Sequence, residues 1–210
     1  MKLKTLILAM LIVPALAVLG GCAAMSEEEC QMSDWRTVGY EDGLLGRSGA
    51  AIGTYRKACA KAGVTPDLDA YQAGRAEGLQ TFCRPQNGYT LGERGGSYAG
   101  VCPSTVEPAF LAAYEDGRTL YTLRRDVNQI ASELAQTERE IDDIEEAMEH
   151  ETLRMIGDGL TPEERLNILA ETRRLAERKG ELEDHADYLA EELGASRERL
   201  NDYEQMQASR

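Results

Sequence analysis

The sequence predicts an all-α protein in which a small, disulfide-pinned helical domain is followed by a long antiparallel coiled-coil helical hairpin. Three observations lead to this fold class. Charged residues make up 29% of the chain and aromatic residues only 6%. So many charged and so few aromatic residues argue against one large core. All cysteines and most glycines lie in the first half. In the second half, apolar residues recur with the alternating three- and four-residue spacing of a coiled coil.

The first residues have the features of a targeting segment. Lys2 and Lys4 precede an apolar run over 5–19, which is shorter than the roughly 20 residues that a membrane-spanning helix needs. The run ends in Leu19-Gly20-Gly21-Cys22, which resembles the lipobox of bacterial lipoproteins. An uncleaved anchor helix or an ordinary secretory signal is the alternative.

The lipobox resemblance implies a specific modification. In proteins with this box the cysteine receives a lipid and becomes the first residue of the mature chain, which makes Cys22 the lipidation site. We therefore expect a lipoprotein signal peptide over 1–21 and a lipid-anchored tether over 22–29. Ala23 follows the lipidated cysteine where an Asp would retain the protein at the inner membrane. The resemblance thus implies the outer membrane, on its periplasmic face.

The remaining cysteines form an even set, which in an exported chain predicts two disulfides. The oxidising bacterial periplasm would maintain them. Spacing alone leaves all three pairings open. A metal site is the competing interpretation, and it is disfavoured because no C-x2-C spacing occurs and both histidines lie far away. The four residues are Cys30, Cys59, Cys83 and Cys102.

The first domain, over 30–105, is predicted to contain three helices, at 33–46, 50–62 and 66–82. Thr65-Pro66 supplies an N-cap and a proline at the first helical position, which favours a helix start there. The glycine-rich stretch over 87–100 is predicted to be irregular.

A weak repeat of tyrosine and glycine runs through this domain. A Tyr and a Gly three residues apart share one helix face, so another backbone can approach the glycine. Close packing in a small core is the favoured interpretation, and a Tyr-lined ligand surface is the alternative. The elements are Tyr40-x2-Gly43-x2-Gly46, Tyr71-x2-Gly74-x3-Gly78, Tyr89-x2-Gly92-x2-Gly95 and Tyr114-x2-Gly117.

Several of these elements together resemble a known family. The motifs are Trp35-x3-Gly39-Tyr40-x-Asp42-Gly43-x2-Gly46, Cys59-Ala60-Lys61-x-Gly63, Tyr71-x2-Gly74-Arg75-x2-Gly78-Leu79-x3-Cys83 and the stretch from Gly88 to Cys102-Pro103. Over roughly residues 22–121 they are similar to bacterial lipoproteins that carry domain of unknown function 2799. The resemblance implies an envelope location and supplies no catalytic residues.

The second region, over 106–210, is predicted to be the hairpin. Residues at coiled-coil spacing are apolar at nine of eleven positions over 120–155 and at eight of eleven over 168–203. Gly157-Asp158-Gly159 provides a turn near 157–160, and Thr161-Pro162 provides the next helix start. The two series mirror each other about Asp158, with Thr137 and Lys179 in one layer. A continuous intermolecular coil is the alternative.

Charge and motif content narrow the possible functions. The net charge is -14, and removal of Lys2 and Lys4 with the signal peptide makes it -16, which argues against nucleic-acid binding. No hydrolase, zinc-protease, P-loop or dinucleotide motif occurs, so we predict no enzyme activity, no catalytic residue, no metal and no cofactor. Asp42 is the best isolated functional carboxylate, although a helix-surface or turn role is favoured. His150 and His185 are predicted to be separate, solvated helix residues.

The sequence thus predicts a membrane-anchored envelope lipoprotein with a structural or adaptor role. Its hairpin would meet a protein partner or a second copy, with Ile156 and Leu160 at the fold-back as the partner-binding residues. The alternative is an envelope glycan or small-ligand binding module that uses the Tyr/Gly-rich domain.

Overall fold

The computed structural model describes residues 25–209, and all regular structure in that range is helical. The predicted signal peptide 1–21 and the predicted lipidation site Cys22 lie outside the described residues. Within them, no helix combines the length and the apolar character needed to cross a bilayer. The helices are α1 (Glu27–Met32), α2 (Trp35–Leu44), α3 (Ile52–Cys59), α4 (Leu68–Phe82), α5 (Pro85–Glu93), α6 (Glu107–Met155) and α7 (Pro162–Ala208).

The predicted tether over 22–29 ends earlier than expected, because α1 begins at Glu27. Ser26 caps this helix: its hydroxyl accepts from the backbone N–H of Glu29, and the Glu29 carboxylate accepts from the backbone N–H of Ser26. This reciprocal capping box starts a helix where sequence alone suggested an extended chain. Four residues, 23–26, therefore separate Cys22 from α1 in the sequence.

Two disulfides form, as predicted, and the structure resolves the pairing that spacing left open. Cys30 pairs with Cys59 and closes a loop of 29 residues, which ties α1 to the end of α3. Cys83 pairs with Cys102 and closes a loop of 19 residues, which ties the end of α4 to the segment before α6. All four side chains are buried, so each disulfide lies inside a small apolar cluster.

The three predicted helices occur, with shifted ends. The predicted helix over 50–62 becomes α3 with a 3-10 turn on either side. The predicted start at Thr65-Pro66 is wrong, because Asp67 provides the cap of α4 by accepting from the backbone N–H of Ala70. Aspartate is as good an N-cap as threonine, and its position fixes the first turn.

The predicted irregular stretch over 87–100 is also wrong in its first half, where α5 runs from Pro85 to Glu93. Pro85 takes the first helical position, which its fixed φ angle favours. Gly88 and Gly92 allow α5 to lie directly against α6: a Cβ atom on Gly92 would sit 2.2 Å from the carbonyl oxygen of Tyr114. These glycines therefore allow close contact between two helices and do not form a turn.

The same close contact joins α2 to α4. A Cβ atom on Gly74 would lie 1.9 Å from the carbonyl oxygen of Arg36, and one on Gly39 would lie 2.0 Å from that of Tyr71. Any side chain at these positions would force the backbones apart. The tyrosine and glycine repeat therefore marks two helix pairs, α2 with α4 and α5 with α6.

The two helix pairs are built from matching sequence. Each pair ends its first helix at a glycine with positive φ, Gly46 at 65° and Gly95 at 73°. In each, an arginine of the second helix donates to a carbonyl at or next to that glycine: Arg75 to that of Arg47, and Arg118 to that of Gly95 itself. The shared motifs are Gly39-Tyr40-x2-Gly43-x2-Gly46 with Gly88-Tyr89-x2-Gly92-x2-Gly95, and Leu68-x-Ala70-Tyr71-x2-Gly74-Arg75 with Leu111-x-Ala113-Tyr114-x2-Gly117-Arg118. The domain is thus an internal duplication of one helix-pair unit.

The predicted hairpin is confirmed. Helices α6 and α7 contain 49 and 47 residues and extend for about 70 Å as an antiparallel pair. Every position predicted for the seam, where the two helices meet, is buried or half-buried. An ion pair crosses between the helices, with Glu140 3.0 Å from Arg178, and His185 of α7 lies 3.7 Å from Glu133 of α6.

Two cross-helix contacts are centred one residue later than predicted. Glu140 with Arg178 and Glu133 with His185 are both symmetric about residue 159, whereas the sequence pattern is symmetric about Asp158. Side chains lean toward the N-terminus of their own helix, so contacting side chains in an antiparallel pair come from slightly later positions than facing Cα atoms. Long side chains also reach past this centre, since Lys179 contacts Glu145, a pair that is symmetric about residue 162.

No linker separates the hairpin from the first domain. The predicted domain boundary, between residues 105 and 106, falls just before α6, yet the first turns of α6 pack on α5 through Gly117. At this same end of the hairpin, Tyr203 near the C-terminus of α7 donates to the carbonyl oxygen of Asp116 at 2.9 Å. Arg124 also joins Glu93 of α5 to Glu204 of α7. Both hairpin helices are thus fixed to the second helix pair.

Candidate functional site

The end of the hairpin is a tightly closed turn over 156–161. Gly157 donates its backbone N–H to the carbonyl of Arg154, and Gly159 adopts a φ of 89°, which favours glycine. Thr161 then caps α7, with its hydroxyl accepting from the backbone N–H of Glu164. The Glu164 carboxylate accepts from the N–H and hydroxyl of Thr161, which lowers the pKa of this carboxyl.

One hydrogen bond across the fold-back locks the two helix ends together. The Arg165 guanidinium donates to the carbonyl oxygen of Met155 at 2.8 Å. That carbonyl lies in the last turn of α6, where it has no partner within its own helix. A cation at a helix C-terminus also complements the helix dipole. The fold-back is therefore an ordered end to the hairpin.

Large apolar side chains are exposed around this turn. Ile156 is 75% exposed, Leu166 66%, Leu153 59% and Leu169 52%. Of the two residues predicted to bind a partner, Ile156 is thus open to solvent, whereas Leu160 is only half-buried. Compared with the prediction, the exposed apolar surface includes the first two turns of α7 in place of Leu160.

Three of these side chains lie on the same flank of the hairpin. Ile156 and Leu169 each follow a seam residue directly, and in an antiparallel pair such positions from both helices share one flank. Leu166 lies one helical turn from Leu169 on the same face. Leu153, by contrast, points away from α7. We refer to Ile156, Leu166 and Leu169 as the apolar tip patch.

The opposite flank carries residues that directly precede seam positions. Ion-paired Glu140 and Arg178 lie there, as does Tyr188, which is 60% exposed and stacks on His185. A shallow groove on this flank is lined mainly by Asp143, Glu146, Ala147, His150, Glu171 and Leu175. Within residues 25–209, no group of three or more metal-ligating side chains is arranged to hold an ion.

A buried carboxylate lies in the first helix pair, far from the hairpin end. Asp42 is 2% exposed, so the predicted helix-surface role is wrong. It accepts from the hydroxyl of Tyr71 at 2.7 Å, from that of Tyr55 at 3.0 Å and from the Arg47 guanidinium at 3.0 Å. Burial and the bond to this carboxylate raise the pKa of Tyr71 and of Tyr55. The position of Asp42 between two packed glycines was the sequence signal for its burial.

This cluster is a satisfied core network. Among the described residues, every buried side-chain polar atom has a hydrogen-bond partner. The second helix pair has Leu91 at the position that corresponds to Asp42, so the shared unit does not require a carboxylate there. The network therefore stabilises the first pair and presents no free group to a ligand.

Comparison with known proteins identifies the first region. Residues 34–119 match the family described as "Protein of unknown function (DUF2799)". The match covers both helix pairs and ends within α6, so the predicted resemblance to this domain of unknown function is confirmed over 34–119. No curated protein and no solved structure matches the chain. Most of the hairpin lies beyond the family match.

Proposed function

We propose that the protein is a lipid-anchored envelope adaptor, attached to the outer membrane through Cys22 and facing the periplasm. The lipobox-like Leu19-Gly20-Gly21-Cys22 supports the anchor. Two buried disulfides suit an oxidising compartment. The helix pairs are the membrane-proximal base, and the hairpin projects a docking end toward a protein partner.

The apolar tip patch is the observation that carries this proposal. Ile156, Leu166 and Leu169 are each more than half exposed, on the ordered turn or in the first two turns of α7, about 70 Å from the hairpin base. A clustered apolar surface of this kind is typical of a protein interaction site. The acidic residues along the helices keep the unbound hairpin soluble.

The alternative, a glycan or small-ligand site in the Tyr/Gly-rich domain, stays a prediction. Its glycines are engaged in backbone contact between helices, and Tyr71 is buried. Tyr114 donates its hydroxyl to the carbonyl of Gly96. These contacts favour the packing interpretation of the repeat and leave the adaptor proposal as the better supported function.

Mass spectrometry of the protein extracted from membranes tests the anchor. We expect a mature chain that begins at acylated Cys22, and the variant Cys22→Ser should appear in the soluble fraction. Recovery of an intact Met1 terminus from the membrane would contradict the anchor.

Chemical cross-linking in the native envelope tests the adaptor role. The double variant Ile156→Ser with Leu166→Ser should lose most adducts to partner proteins, because it removes the core of the apolar tip patch. Tyr188→Ser removes a similarly exposed side chain from the opposite flank and is the matched control. Circular dichroism should show the helix content of the native protein in both variants. Equal adduct yields for both variants would refute the adaptor role of this patch.

A further inference from the structure

An acidic row continues from the apolar tip patch along the same flank of α6. Its residues each follow a seam position directly, and all four are exposed. Lys179 confirms the geometry, because its ammonium lies 3.1 Å from Glu145 of α6 and 2.7 Å from Glu183, which follows a seam residue on α7. We call this set, Glu138, Asp142, Glu145 and Glu149, the acidic row.

The acidic row has few compensating cations. Lys179 is shared between Glu145 and Glu183, and Arg173 on this flank pairs with Glu177. Within the part of the chain that the structure describes, no ion pair involves Glu138, Asp142 or Glu149. Arg139 lies beside Asp142 in one shallow groove of α6. The flank thus combines an apolar end with about 20 Å of predominantly negative charge between Asp142 and Ile156, interrupted by Lys179 at Glu145.

We propose that this flank binds a basic amphipathic helix of a partner protein, an inference that rests on the adaptor function proposed above. The partner helix places apolar side chains on Ile156, Leu166 and Leu169, and its Lys or Arg side chains face the acidic row. It thereby adds a third helix to the end of the hairpin. Charge complementarity of this kind sets orientation and association rate as well as partner choice.

A second copy of the chain fits this flank poorly. Laid along the flank, a second hairpin places its own acidic row against the first, and like charges at close range oppose association. Contact limited to the patch buries three side chains, far below the roughly 800 Å² per partner of a stable interface. A basic amphipathic helix complements both the apolar tip patch and the acidic row.

Two synthetic peptides of about 18 residues, long enough to span the flank, test the partner chemistry. They share one leucine face and carry either Lys or Glu at the flanking positions. Fluorescence anisotropy with the full chain should show the Lys peptide binding at least about tenfold more tightly than the Glu peptide. Raising the salt concentration should weaken that binding, since it screens exposed charges. Equal affinities for the two peptides would overturn the proposal.

Residues on opposite flanks provide matched controls. Asp142→Lys should weaken Lys-peptide binding about fivefold or more, whereas Glu133→Lys, which changes the same charge beside His185 on the opposite flank, should leave it nearly unchanged. Likewise Ile156→Ser should weaken binding about tenfold and Tyr188→Ser should not. Equal effects of the two variants within either pair would refute the assigned flank. The proposal would also fail if the chain dimerises and Ile156→Ser abolishes that dimer.

Failure of this inference is distinguishable from failure of the adaptor function. If the tip-patch double variant loses its envelope adducts while both peptides bind equally, the adaptor function stands and the cationic partner is wrong. If the adducts persist in that variant, the adaptor role of the patch fails first.

Discussion

At the residue scale, Asp42 shows how one buried charge is tolerated in a small domain. Three donors surround its carboxylate, and one of them, Arg47, is a half-exposed cation that neutralises it. Removing one member of such a network leaves the others unpaired in a dry site, which costs more than the network contributes in net stability. The corresponding Leu91 shows the apolar solution to the same position.

The variant Asp42→Leu should therefore lower the free energy of unfolding by about 3 kcal/mol, because the buried Tyr71 hydroxyl loses its acceptor. Adding Tyr71→Phe should restore much of this loss, since the buried donor is then removed too, while Arg47 and Tyr55 stay hydrogen-bonded to each other. Trp35, the single tryptophan, reports on this domain by fluorescence during urea unfolding. Additive losses in the double variant would contradict the network.

Glycine at a helix contact acts differently from glycine on an open helix face. Gly74→Ala should destabilise the domain by about 2 kcal/mol or more, because the new methyl group meets the carbonyl oxygen of Arg36. Gly180→Ala is the control, since its Cβ would meet nothing within 4 Å inside α7. That change should stabilise the hairpin by about 0.5–1 kcal/mol, measured by thermal melting at 222 nm. Destabilisation by both changes would show that helix contact is not the cause.

At the element scale, the hairpin followed from the sequence and α5 did not. The seam repeats over eleven positions in each helix, so scattered polar residues such as Thr137 and Lys179 do not obscure it. Gly88 and Gly92 resemble turn residues until a second helix is placed against them. The disulfide pairing was equally hidden, because spacing does not determine which loops close. The tip turn was predicted, but the exposure of Leu166 and Leu169 depended on the register.

The disulfides hold the helix pairs and not the hairpin. Replacing Cys30 and Cys59 by Ala should lower the stability of the first helix pair by about 3 kcal/mol, given its loop of 29 residues. The midpoint monitored by Trp35 fluorescence should fall, while the far-ultraviolet signal from α6 and α7 should change little. A parallel fall of both signals would show that the hairpin depends on this disulfide.

At the scale of the whole molecule, a duplicated helix-pair unit forms a base for one long projection. The second unit shares α6 with the hairpin, so the direction of the hairpin is fixed by packing against α5. Most of the acidic charge lies in the hairpin, where residues 115–210 contain 26 acidic and 13 basic side chains. Sequence composition revealed this division, whereas the flank that joins the apolar tip patch to the acidic row required the structure.

Photo-cross-linking from single positions of the hairpin in intact cells tests the central claim most directly. A photoreactive residue at position 142, 149 or 156 lies on the docking flank, and one at 133 or 150 lies on the opposite flank. The account predicts partner adducts from the first three positions and few from the other two. Equal adduct yields on both flanks, or no adduct from position 156, would contradict it.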